Sequence, residues 1–274
     1  MQGEQVMSIL ELAFFRNALV MCVLLSLLFG VLSFFIVMRK MSFLGAGIAH
    51  TAFGGVALGV FFGIDPFFTS LGFCVIVAVI TGRLVRAGTL SYDVIIGIFF
   101  SFSMALGAML IALKKDYTFD LMGYLFGNIL GVTARDNVIA IVAVLVFIPF
   151  IAVFLQRILF MTFDREVAEV SGVNTGMLDT MLLVFLAGII VVSIRMVGII
   201  LVSALVVLPA SFGSLFSRNY RRVILYGCIY TAVIMTGGLF LSYYLNTPAG
   251  ATMVTLGTFI YFTGVSIFRL TRSE

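Results

Sequence analysis

Long apolar runs succeed one another through this sequence and leave it very few ways to fold. The first, Leu12 to Met38, contains a single charged residue, Arg16. About 20 residues of helix cross the roughly 30 Å hydrocarbon core of a bilayer. Backbone groups inside lipid must be satisfied internally, so only helices or closed barrels span it. The runs lack the two-residue alternation of a membrane barrel. An all-α, polytopic membrane helical bundle is the fold class that follows. Composition agrees: 62% of residues are hydrophobic and 10% charged, against about 25% charged in soluble domains.

Nine segments are long enough to span: about Leu12 to Val37, Ile48 to Ile64, Phe67 to Leu84, Tyr92 to Leu113, Val138 to Gln156, Met177 to Ile194, Met196 to Phe216, Val223 to Leu245 and Ala249 to Phe268. The first run exceeds a signal-peptide core and is expected to be a permanent span. Met177 to Phe216 reads either as a tight hairpin broken at Arg195 or as one span with a broken helix, with Pro209 as the expected helix break. The count is therefore eight to nine, and residues 1–274 are expected to form one transmembrane domain. With the N-terminus outside and the C-terminus cytoplasmic, nine crossings place 11 of the 16 Lys and Arg on the inside, as the positive-inside rule requires. The net charge of +4 is then a matter of topology and gives no reason to invoke nucleic acid. Cys22, Cys74 and Cys228 all lie in apolar runs, with no paired spacing for a disulfide framework or a metal knuckle.

Chemistry-bearing residues are few. His50, the sole histidine, sits in an apolar segment where Gly55, Gly59 and Gly63 recur every four residues. Such spacing places glycines on one helix face that another backbone can approach. An imidazole within a membrane segment is a pathway candidate, although one nitrogen ligand is not a metal site and an interfacial histidine bonded to a nearby carbonyl is the plainer alternative. Asp120 opens a 13-residue apolar stretch, Asp120 to Val132, too short to span and expected as an outer interfacial or re-entrant segment. The loop from Phe163 to Asn174, FDREVAEVSGVN, carries Asp164, Glu166 and Glu169 early and Gly172 late. This is the punctuation of a short capped helix, either an ordinary loop helix or one that docks on a cytoplasmic partner. No G-x-x-x-x-G-K-[ST] occurs, so this chain has no P-loop nucleotide site of its own. No carboxylate falls near the middle of a span, which disfavours an ion-coupled secondary carrier or channel.

Taken together the motifs resemble the permease subunits of metal-ion ABC importers, the zinc, manganese and iron family. Arg39 to Gly59 reads RKMSFLGAGIAHTAFGGVALG, similar to that family's opening signature. Asp65-Pro66-Phe67, Tyr92 to Ile98 (YDVIIGI), Asp120 to Gly127 (DLMGYLFG), Val197 to Ala210 (VGIILVSALVVLPA) and Thr247 to Gly250 (TPAG) follow in the family's order. The resemblance implies alternating access in the cytoplasmic (inner) membrane of a prokaryote. It implies a second permease protomer, most simply a homodimer, together with a cytoplasmic ABC ATPase carrying the ATP and an extracytoplasmic metal-binding protein. No permanently bound cofactor is implied, and the divalent metal ion is the cargo. The resemblance also makes Phe163 to Asn174 the coupling segment. One position departs: the family commonly carries an aspartate four residues before the histidine, and here that residue is Ala46. His50 without its carboxylate leans toward zinc over manganese or iron, with a metal chelate or non-metal cargo as the alternative.

Overall fold

The computed structural model describes residues 12–88, 90–114, 123 and 127–270. Their helices are α1 (Ala13–Met38), α2 (Ser42–Phe62), α3 (Pro66–Arg86), α4 (Tyr92–Leu113), α5 (Ala134–Phe163), α6 (Arg165–Val170), α7 (Thr175–Phe216), α8 (Tyr220–Leu245) and α9 (Ala249–Leu270), with one 3-10 turn at Ile129–Gly131. All but α6 are long and apolar enough to cross a membrane, eight in all among the described residues. That number counts α7 once, so the eight-to-nine expectation stays open: the 42 residues of Thr175–Phe216, which contain the Met177 to Phe216 run, are two helical stretches joined at a kink. The single non-helical residue there is Gly198, with φ 79° and ψ 165°. The expected break at Pro209 is not there: Pro209 lies within helical backbone. Glycine reaches that left-handed φ without a Cβ penalty, whereas proline, with φ near −65°, keeps a helical dihedral although it removes a donor and crowds the carbonyl four residues back.

Contacts divide the chain into two compact units, one of residues 1–34, 122–146 and 195–274, the other of residues 35–121 and 147–194. In the first unit, Gly238 packs on Met253 between α8 and α9, and Gly30 of α1 faces the Cys228 backbone, where a Cβ would come within 2.8 Å of its Cα. Tyr230 Oη donates to the Gly257 carbonyl at 2.7 Å while its ring stacks on Phe212 with centroids 4.5 Å apart. The Ser33 hydroxyl accepts the Ala210 amide at 3.0 Å, next to Pro209. Gly127, with φ 69°, lies against the break in α7, where a Cβ would sit 2.4 Å from Gly198 N. Thr133 and Asp136 form a reciprocal cap at the start of α5: the Thr133 amide and hydroxyl both donate to the Asp136 carboxylate, at 3.0 and 2.7 Å.

In the second unit α2 is the hub. Of its apolar window 72% is buried, against 33% for α3 and 28% for α4. Small residues make this possible, as the next helices come too close for side chains. A Cβ on Gly47 would meet Ile96 at 2.5 Å, one on Gly54 the Ser103 carbonyl at 2.9 Å, and one on Gly55 the Ser70 Cα at 2.5 Å. Gly63 closes α2 as a left-handed cap with φ 71° and ψ 23°. Asp65 then starts α3, its carboxylate accepting from Phe67 N at 2.8 Å with Pro66 in the first turn. The Asp65-Pro66-Phe67 motif is thus a helix start.

Candidate translocation face and surface helix

Along α2 the glycines face α3 and α4, and a different side of the helix is left open. Ala46 and His50 are both half-buried in an otherwise buried stretch, one turn apart and therefore on the same face. Close backbone approach, expected of the face with Gly55, Gly59 and Gly63, is found at the first two. Gly55 and Gly59 are consumed by packing on Ser70, Thr69 and Pro66 of α3, and Gly63 lies beyond the helix. The His50 ring meets Phe100 of α4 edge-on, with centroids 4.9 Å apart and planes at 74°. Its Nδ1 is buried without a hydrogen-bond partner, so the alternative of a histidine satisfied through Nδ1 by a neighbouring carbonyl is not what the structure contains. A buried imidazole nitrogen without a partner is uncommon in a folded protein and marks His50 as a group whose placement packing alone does not explain. Among the described residues no three His, Cys, Asp or Glu side chains are grouped as a metal site. Chemically the face can offer one imidazole and no carboxylate.

The surface helix α6 has the expected punctuation. Asp164 caps it, its carboxylate accepting from Val167 N at 3.0 Å. Gly172 follows the helix with φ 83°, and Val173 N reaches back to Ala168 O at 3.0 Å, which closes the last turn. Glu166 is exposed in the first turn. Glu169 accepts from Arg165 Nε at 3.0 Å and from the Thr175 hydroxyl. Those two hydrogen bonds, Thr175 first and Arg165 second, hold its carboxyl below the usual glutamate range. Burial by itself would lower the Arg165 pKa, but the Asp179 carboxylate and the Glu169 bond keep that guanidinium above its ordinary value. Val170 is 90% exposed, and Phe163 and Val167 are exposed beside it. Asp120, the expected outer-segment residue, lies outside the described residues.

One cluster escaped the reading of the sequence. Asp179, 1% exposed near the start of α7, takes an ion pair from Arg39, a second from Arg165 Nη1 at 3.0 Å and a hydrogen bond from Tyr92 Oη at 3.4 Å. Nearby, Arg86 donates to Thr180 Oγ1 at 2.6 Å and to the Gly176 carbonyl. Each of these residues had been legible only as loop charge or helix end, and no local spacing announces their meeting.

The family model described as the ABC 3 transport family matches residues 11–268. The chain belongs to that family. The motif resemblance to metal-ion ABC permeases is thereby borne out along nearly the whole length. Among relatives of this ABC 3 member is the "manganese transport system membrane protein MntC" of Listeria monocytogenes, 33% identical over 93% of this chain and 90% of that protein. The "high-affinity zinc uptake system membrane protein ZnuB" of Haemophilus influenzae is 29% identical over 93% of this chain and 97% of its own. Among solved structures, PsaBC from Streptococcus pneumoniae in complex with Fab superimposes with a TM-score of 0.84 at 29% identity, covering 96% of this chain and 95% of that one.

Proposed function

We propose that this ABC 3 family chain is the membrane-spanning subunit of an ATP-driven importer of a divalent metal ion. The observation that carries the reading is the family match across residues 11–268, with relatives named for manganese and zinc transport at both 33% and 29% identity. In this reading a cytoplasmic ABC ATPase docks on α6 through Phe163, Val167 and Val170, with Asp164, Glu166, Glu169 and Gly172 shaping the helix. An extracytoplasmic metal-binding protein delivers the ion, and a second copy of the permease completes the path in the inner membrane of a prokaryote. His50 from each copy contributes one nitrogen to a transient site on the way through. Weak ligation suits passage, because an ion held by a full protein ligand set would not leave. Zinc is favoured over manganese, since a borderline imidazole remains where the family's hard carboxylate has become Ala46.

The deciding experiment is uptake of labelled zinc, manganese and iron into proteoliposomes carrying the permease with its ATPase and binding protein, with and without ATP. ATP-dependent uptake of zinc ahead of the others is expected. Active ATPase with no uptake of any free ion would instead assign this architecture to a metal chelate, the cargo that the missing carboxylate at position 46 would then mark.

A further inference from the structure

Two chains of contact run from the surface helix to the helices that carry His50 and Phe100, and both pass through one carboxylate. Arg165 of α6 contacts Asp179 Oδ2 at 3.0 Å and Glu169 at 3.0 Å, and Glu169 in turn holds the Thr175 hydroxyl at the first turn of α7. On the far side of Asp179, Arg39 comes from the link that enters α2, the helix of His50. Tyr92, whose hydroxyl also reaches Asp179, opens α4, the helix of Phe100. Further along, α2 and α4 meet again where His50 and Phe100 touch.

We propose that Asp179 is the positioning residue that ties the ATPase-docking helix to the His50 face, so that a displacement of α6 is delivered to the cytoplasmic ends of α2 and α4 together. The inference rests on the importer reading above and concerns a residue that contacts neither ATP nor metal. Its physical basis is the cost of separating the cluster. Asp179 is 1% exposed and Arg39 11%, so neither charge can be released to water without loss, and a buried carboxylate left with one partner is strongly penalised. A cluster of two guanidiniums and a phenol on one buried carboxylate therefore moves as a unit. Arg165, at 38% exposed, is its outward-facing arm and the point where a push from the cytoplasm enters. Direct geometry also favours a shared joint over independent supports, because the four donors and acceptors come from the α1–α2 link, α4, α6 and α7.

The test is the number of metal ions moved per ATP hydrolysed, measured in the reconstituted full complex for the wild type and for Asp179→Asn, Arg165→Gln and Arg165→Lys. A merely structural loss lowers the amount of assembled transporter and both activities in step, leaving that ratio alone. The expected result is a fall of at least fivefold in the ratio for Asp179→Asn and Arg165→Gln, with Arg165→Lys recovering part of it. A ratio within twofold of wild type in both would overturn the assignment. Should Asp179→Asn fail to assemble, Arg165→Gln on the surface helix decides alone by the same criterion. Wild-type complex that hydrolyses ATP without moving metal would sink the free-ion reading itself, an outcome separate from a variant that behaves as wild type.

Discussion

His50 and Phe100 meet edge to face across α2 and α4, ring centroids 4.9 Å apart and planes at 74°, and the imidazole Nδ1 is left without a partner. The aromatic contact fixes the ring while leaving a nitrogen uncommitted. His50→Ala should lower metal uptake by about tenfold, the scale of losing about 1.4 kcal/mol of ligand interaction, with the complex still assembled. Ala46→Asp, one turn away on the same face, should do the reverse to binding: equilibrium dialysis should show tighter metal retention and transport assays slower release. Equal uptake by wild type and His50→Ala for every metal would remove His50 from the path.

Close packing of α2 makes a sharp contrast between two glycines. A Cβ at Gly55 would lie 2.5 Å from the Ser70 Cα, whereas one at Gly72 meets nothing within 4 Å. Gly55→Ala should destabilise the detergent-solubilised protein by about 1–3 kcal/mol through overpacking against backbone. Gly72→Ala should leave it unchanged or raise the melting temperature slightly, helix propensity favouring alanine by about 1 kcal/mol. Similar melting temperatures for the two variants would show that the α2–α3 contact is looser than described.

At α6, Val170 is 90% exposed on a helix whose cap is Asp164. Val170→Asp should weaken ATPase association by about tenfold, one unpaired charge in an apolar contact costing at least about 1.4 kcal/mol. Asp164→Ala should cost the helix about 1 kcal/mol and reduce association less. Pull-down of the ATPase by each variant distinguishes them, and unaltered capture by Val170→Asp would place the docking surface elsewhere.

Glu169 gives α6 a defined acid response. Its carboxyl is held below the usual glutamate range by the Thr175 and Arg165 bonds, so the folded pKa is depressed. Its contribution is fully present above the unfolded value, about 4.3, and is lost as pH falls through the lower folded value. Amide exchange at residues 165–170, corrected for intrinsic rates, should show protection unchanged from pH 7 to 5 and falling only at more acid pH. In Glu169→Gln that acid-dependent loss should disappear. A drop in wild-type protection already complete at pH 5 would contradict the assignment.

The charge count makes a topological prediction. Arg165, Arg218, Arg221 and Arg222 share the cytoplasmic side under the positive-inside rule, which requires the chain between them to cross twice. The 42 residues of α7, about 63 Å of helix at 1.5 Å per residue, suffice for two crossings with a reversal at the non-helical Gly198. Single cysteines placed at Val170 and Ser217 in a cysteine-free background should both react with an impermeant maleimide only from the inside. Labelling of Ser217→Cys from outside would make α7 a single crossing.

What the sequence determined by itself is what depends on order along the chain. Apolar run length dictates helices in a membrane, and Asp164 and Gly172 punctuate α6 through bonds that close within a few residues, so both were legible directly. His50 and Ala46 share a face by helical period alone. The partners of those faces were not legible. Arg39 finds Asp179 140 positions away, the backbone that approaches Gly55 is that of Ser70, and α7 breaks at Gly198 while Pro209 stays helical. Only tertiary structure decides these, because a buried charge takes whichever opposite charge the packing delivers, and a glycine becomes a contact or a hinge according to the backbone set against it.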